Sequence, residues 1–309
     1  MTGLRLWKPA ESCYDRLRSE EYGGSVVVMT GFDKRERQIA DQLRTLMQQP
    51  EEKISLAAAA LLIASMEYPA LESPPYLRRL DELAARVSAR APHPIDPYQV
   101  ITEMNRCLFR EEGFSGNSED YYDPRNSFLN EVLDRKTGIP IMLSTVYLEI
   151  ARLLHFPLVG VGMPGHFLVK HPYFEILIDP FSQGRILNAS DCEQRMKQVL
   201  GDSVPFHSSY LEGVSKLHTV TRMLNNLRNV FLDLRQFPKA YQITELVLAL
   251  HPDSANDLRQ KAAFLIELRR FAEAGTALDR YIELAPESED TADLKQTALN
   301  LRRTLAQMN

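Results

Sequence analysis

From residue 33 onward, most of the chain carries apolar residues every three or four positions, and one stretch breaks that rhythm. Ile39, Leu43 and Leu46 recur at helical spacing behind Asp33, which is placed to cap a helix. Leu56 to Met66 is rich in alanine and leucine, with strong helix propensity, and Pro69 ends it. Ser73-Pro74-Pro75 reads as a start, a capping residue followed by prolines where no donor is needed. Leu77, Leu80, Leu83, Ala84 and Val87 then mark one buried face. Past the prolines at 92, 94 and 97, Val100, Met104 and Leu108 form the next stripe. At residue 113 the character changes to a polar, turn-rich loop ending at Ser127, and Asn126 to Leu133 predicts a short helix. Ile141 to Leu154 is apolar almost all round, which predicts a centrally buried helix. Three strand-like runs follow, Leu158 to Met163, Phe167 to Lys170 and Phe174 to Ile178, separated by short Pro and Gly turns suited to antiparallel hairpins. A central helix followed by antiparallel strands predicts an α+β fold.

The last third is helical again and repeats itself. A shift of 34 residues superposes Leu234 on Leu268, Phe237 on Phe271, Ala240 on Ala274, Leu250 on Leu284 and Pro252 on Pro286. The small residue lets two helices approach, the proline ends the second, and a period of 34 is the tetratricopeptide signature. Residues 218–252 and 253–286 form two repeats, with 288–307 as a capping helix. The expected organisation is an extension over 1–32 with one isolated strand-like run at 24–29, a helical region over 33–112, an α+β core over 113–210, and repeats over 211–309.

Composition narrows the function classes. Of 309 residues, 44% are hydrophobic and 25% charged, ordinary values for a globular chain with a full core. The net charge of −5 and the dispersed basic residues give no stripe for nucleic acid. Cys13, Cys107 and Cys192 are far apart and odd in number, which speaks against a disulfide framework or a paired-cysteine metal site. With no apolar leader and no apolar run long enough for a membrane helix, these features predict a cytoplasmic protein. No histidine pair has metalloprotease spacing and no phosphate-binding glycine motif is present, so neither metal nor cofactor is expected.

The candidate chemistry lies beside the strands. His166 follows Pro164-Gly165 at the start of one strand, and Asp179 ends the next, before Pro180. A hairpin can close the 13 positions between them, and a histidine oriented by a carboxylate is half of a nucleophilic triad. The usual third member would be a cysteine at the N-terminus of a helix. As a substitute for it the best candidate is Ser144, one turn inside the buried helix and on nearly the same face as Ile141. Cys107 and Cys192 read as small buried hydrophobes.

Five segments carry a resemblance to the SirB-type bacterial family of transglutaminase-like proteins. They are Tyr121 to Ser127, Leu129 to Leu133, Gly138 to Ile141, Pro164 to Phe167 and Asp179 to Phe181. Together with the repeats, which that family also carries, the resemblance covers roughly 250 residues. It implies a papain-like core whose nucleophilic cysteine opens the central helix. Here that place falls on Pro140 or Ile141, neither of which can attack a carbonyl. The resemblance therefore implies retained His166 and Asp179 without their partner. Two readings follow. One is a non-enzymatic interaction protein that offers its repeats to a protein or peptide. The other is an acyl-transfer or amide-hydrolysing enzyme using His166, Asp179 and a non-standard nucleophile such as Ser144.

Overall fold

The computed structural model describes residues 32–92 and 96–308. The strand-like run at 24–29, Cys13 and Pro94 lie outside the described residues. The described residues divide into two compact units, one from Thr45 to Asn226, the other formed by 32–44 together with 227–308.

In the first unit, α2 (Leu56–Glu67) starts where the Ser55 hydroxyl accepts the Ala58 amide at 3.0 Å. It is buried on nearly every side, as expected of an Ala/Leu segment whose one charge, Glu67, is its last residue. The next helix, α3 (Ser73–Arg90), buries Leu80, Leu83, Ala84 and Val87, the face expected from their spacing. Its cap is Glu72 rather than Ser73, which is already the first helical residue. Helix α4 (Pro97–Asn105) is capped by Asp96 and runs into a wider π turn over Arg106–Glu111. The loop that follows is clipped by two residue pairs in parallel, β1 (Ser115–Gly116) against β2 (Thr137–Gly138). Between them lie a 3-10 turn (Pro124–Ser127) and α5 (Leu129–Arg135). The helix predicted from Asn126 starts only at Leu129, behind Phe128, with no side-chain cap. Asp123 caps the preceding 3-10 turn, where its carboxylate accepts the Arg125 amide. Asn126 is instead fully buried and ties the loop: its amide donates to the Asp120 carbonyl at 2.7 Å.

Helix α6 (Pro140–Leu153) is the central element. Residues 140–151 are all buried, including Ser144, Thr145 and Glu149, so the nearly all-round apolar pattern does mark the middle of the unit. The sheet is antiparallel, in the order β6 (Arg185–Leu187), β5 (Leu177–Asp179), β4 (Leu168–Lys170), β3 (Val159–Val161), β7 (Gly213–Val214). The strand expected from Phe174 begins only at Leu177. Phe174 belongs to the turn, its ring 4.7 Å from that of His171. Helix α7 (Ala189–Leu200) opens with a reciprocal capping box between Asn188 and Asp191. Val161, Met163, Leu168, Leu177, Leu187, Cys192 and Leu211 form a core between this helix and the sheet.

Helix α1 (Lys34–Met47) carries a capping box in which Asp33 and Glu36 accept each other's amides, and it buries Ile39 and Leu43. Helix α8 (Lys216–Asp233) leads into the second unit. There α9 (Phe237–Leu250), α10 (Ala255–Glu267), α11 (Phe271–Leu284) and α12 (Thr291–Met308) pack in succession. Ala240 and Ala274 are fully buried, the close-approach positions the repeat requires. The period extends to the backbone. Arg235 and Arg269, 34 apart, both adopt a left-handed conformation at a helix end. The amides of Gln236 and Arg270 then reach back five residues to the carbonyls of Phe231 and Leu265, both at 2.8 Å. Among the described residues no helix is long and apolar enough to cross a membrane.

Candidate functional site

His166 is placed by a turn whose chemistry is local. Its amide donates to the Met163 carbonyl at 3.1 Å, with Pro164 and Gly165 at the corners and Gly165 at φ +74°. This is the proline-then-glycine pattern of a type II turn, which needs a positive φ at its third residue. The turn is held from outside by Arg222, whose guanidinium donates to the carbonyls of both Met163 and His166 at 2.7 Å. Burial pulls that guanidinium down to about 10, with the Tyr121 hydroxyl opposing, so it stays cationic at neutral pH. A methyl at Gly165 would sit 2.8 Å from a Val199 methyl. Gly165→Ala should therefore lower stability by about 1–2 kcal/mol from the backbone alone, read as a drop in the urea midpoint.

Asp179 is fully buried at the end of β5. Its Oδ1 lies 2.9 Å from His166 Nε2 and also accepts the amides of Phe181 and Ser182, which fixes the carboxylate as the cap of a 3-10 turn over Pro180–Ser182. Burial by itself would push the carboxyl up. The hydrogen bond and charge of His166 outweigh it, helped by Arg195, and hold Asp179 below the usual aspartate range. The pair anticipated from the sequence is thus formed.

A third member was not anticipated. Arg195, on α7, places Nη1 3.1 Å from His166 Nε2 and 3.2 Å from Asp179 Oδ2, and its Nη2 donates to the Ser182 hydroxyl at 2.9 Å. One ring nitrogen therefore faces both a carboxylate and a guanidinium. The signal for Arg195 was weak but present. It falls one turn after Cys192 and beside Met196, on the inward face of an amphipathic helix. Nothing in the local pattern marked Arg222.

The place of a nucleophile is filled differently. Pro140 opens α6, Ile141 behind it is buried, and the amides of Met142 and Leu143 are both spent on the Ile139 carbonyl. Ser144 is fully buried and its hydroxyl points to the Phe167 carbonyl at 3.4 Å. Among the described residues no hydroxyl or thiol hydrogen-bonds to the His166 ring. Cys192 sits in the core, where burial pushes its thiol up to about 11, away from the reactive thiolate. Burial also raises the Cys107 thiol. The ring of Phe181 stands edge-on to His166 at 5.9 Å, and Tyr121 packs against Phe181 at 6.4 Å. The arrangement can hold a charge and a turn in place, and among the described residues no hydroxyl or thiol is hydrogen-bonded to its histidine.

A central helix and an antiparallel sheet bearing a His–Asp pair, followed along the chain by helical repeats, define a transglutaminase-like domain joined to tetratricopeptide repeats. Residues 74–225 match the transglutaminase-like superfamily, and 227–298 match the tetratricopeptide repeat. The UPF0162 protein of Xylella fastidiosa strain 9a5c is 34% identical over 249 residues, which cover 78% of this chain and 87% of that protein. The UPF0162 protein of Pseudomonas aeruginosa is 32% identical over 221 residues, 71% of this chain and 80% of its own length. The chain belongs to the UPF0162 family. F-box only protein 21 of Homo sapiens is 34% identical over 186 residues, 55% of this chain and 28% of that protein. No solved structure matches significantly.

Proposed function

We propose that this chain is a non-enzymatic interaction protein. Its transglutaminase-like domain serves as a scaffold, and its repeats receive a protein or peptide partner. The observation that carries this reading is the start of α6. Proline and isoleucine occupy the turn from which the fold would present a cysteine, and the His166 ring is engaged by Asp179 and Arg195. A general base needs a proton to take within hydrogen-bond reach, and none is offered by a neighbouring hydroxyl or thiol among the described residues. His166 and Asp179 then act as a structural pair that locks the turn before β4 to the end of β5. The tetratricopeptide match supports the partner-binding half, since stacked repeats of this kind expose extended binding surfaces. A cytoplasmic location fits the dispersed cysteines, of which Cys107 and Cys192 are free and buried.

The test compares the intact chain with a variant carrying Leu234→Glu and Leu299→Glu, two roughly half-exposed apolar residues of the repeat unit. Both proteins are used for affinity capture and are treated with a fluorophosphonate and with an iodoacetamide probe. The expected result is a defined partner captured by the intact chain and lost from the variant, with no His166-dependent labelling by either probe. Labelling of Ser144 or of a cysteine that disappears in His166→Gln would sink the reading in favour of acyl-transfer or amide-hydrolysing chemistry.

A further inference from the structure

A cavity of about 440 Å³ opens at the far end of α6 from Pro140. Its walls come from the 3-10 turn Glu51–Lys53, the start of α2, the last turn of α6, the chain leading into β3, and β7 with the first turn of α8. It shares none of these residues with the His166–Asp179–Arg195 cluster. The volume falls within the usual span for small-molecule sites, about 300–1,000 Å³.

The charges around it are not all spoken for. Glu149 and Arg152 pair at 3.2 Å, and the Glu149 carboxylate also accepts the Ser55 hydroxyl and the Leu56 amide, so that pair is structural. Lys216 is different. Its ammonium has three donors but makes one hydrogen bond, to the Ile54 carbonyl at 2.7 Å, with no carboxylate of the described residues within ion-pair distance. Glu51 uses one oxygen on the Lys216 backbone amide, and neither it nor Glu52 is ion-paired among the described residues. Leu56, Leu148, Phe156 and Val159 supply apolar wall between these groups.

That distribution selects among ligands. A simple fatty or aromatic acid would meet Lys216 but face Glu51 and Glu52. A polyamine would meet the two glutamates but face Lys216 and Arg152. Both signs are answered only by a molecule that carries both, with an apolar body between them. We propose that this cavity binds an apolar amino acid or dipeptide as its zwitterion, with the carboxylate at the Lys216 ammonium, the amine at Glu51 and Glu52, and the side chains against the Leu148 and Phe156 wall.

Leucyl-phenylalanine, titrated into the full chain by calorimetry, is the probe. Saturable binding is expected. The N-acetyl and the C-terminal amide derivatives each remove one charge, and each should bind about tenfold more weakly, the scale of one charge-assisted contact. Lys216→Met should weaken the free dipeptide by a similar factor while leaving the amide derivative unchanged. Glu52→Gln, at an exposed position, should weaken the free dipeptide while leaving the N-acetyl form unchanged. That second variant preserves the test if loss of the Lys216 bond to Ile54 unfolds the first. The proposal is overturned if the full chain shows no saturable binding, if the amide binds as tightly as the free acid, or if Glu52→Gln is indistinguishable from the parent.

Discussion

Asp179→Ala is expected to destabilise the chain by about 3 kcal/mol, the lower end of the roughly 3–5 kcal/mol typical when one partner of a buried ion pair is removed. The carboxylate is wholly buried, and its loss strips partners from the His166 ring and from the amides of Phe181 and Ser182 together. The low end applies because the Arg195 side chain is 30% exposed and can turn toward water, whereas His166 cannot. Arg195→Ala should consequently cost much less than Asp179→Ala. The pH dependence follows from the sign of the shift. The folded Asp179 carboxyl titrates below its ordinary value. Its contribution is therefore complete above the unfolded value near about 3.9 and is lost as pH falls through the folded one. Asp179→Asn should flatten the acid limb of a stability-versus-pH curve measured in urea. If Asp179→Ala cost less than about 1 kcal/mol, on the scale of an exposed pair, the structural role assigned to the cluster would be wrong.

What the sequence revealed depended on how local the cause was. The 34-residue period was legible because each landmark serves its own helix pair: Ala240 and Ala274 admit a neighbouring helix, and Pro252 and Pro286 follow a helix end. The buried α6 was legible because a helix enclosed on all sides cannot carry a polar face. Strands β3, β4 and β5 are as short but lie within longer apolar runs, whereas β1, β2, β6 and β7 stand in polar, glycine-bearing segments with no such run to mark them. The left-handed helix ends at His155, Arg235 and Arg269 were hidden for another reason. Glycine is the usual marker of such an end, and none stands there. In the site, His166 and Asp179 announced themselves through Pro-Gly and Asp-Pro punctuation. Arg195 and Arg222 reach the cluster from helices 29 and 56 residues further along the chain, and only tertiary packing brings them in.

The second large effect is expected in the repeat unit, at a pair that no motif marks. Arg228 is 1% exposed and its guanidinium pairs with the Asp257 carboxylate across α8 and α10. The same carboxylate accepts the Ser254 hydroxyl at 2.5 Å, so one aspartate serves both the start of α10 and the buried cation. Asp257→Ala removes both contacts and leaves the guanidinium in the interior without this partner, which should cost about 3–5 kcal/mol. Replacing both residues, Arg228→Leu with Asp257→Ala, removes the buried charge as well. The double variant is therefore expected to be more stable than Asp257→Ala alone, since an apolar side chain of similar length needs no counterion. Urea unfolding of the four members of this cycle reads the coupling directly, and hydrogen exchange at the α10 amides reports whether the loss is local. A double variant less stable than Asp257→Ala would mean that the arginine stem, through its packing, matters more to the repeat core than its charge does.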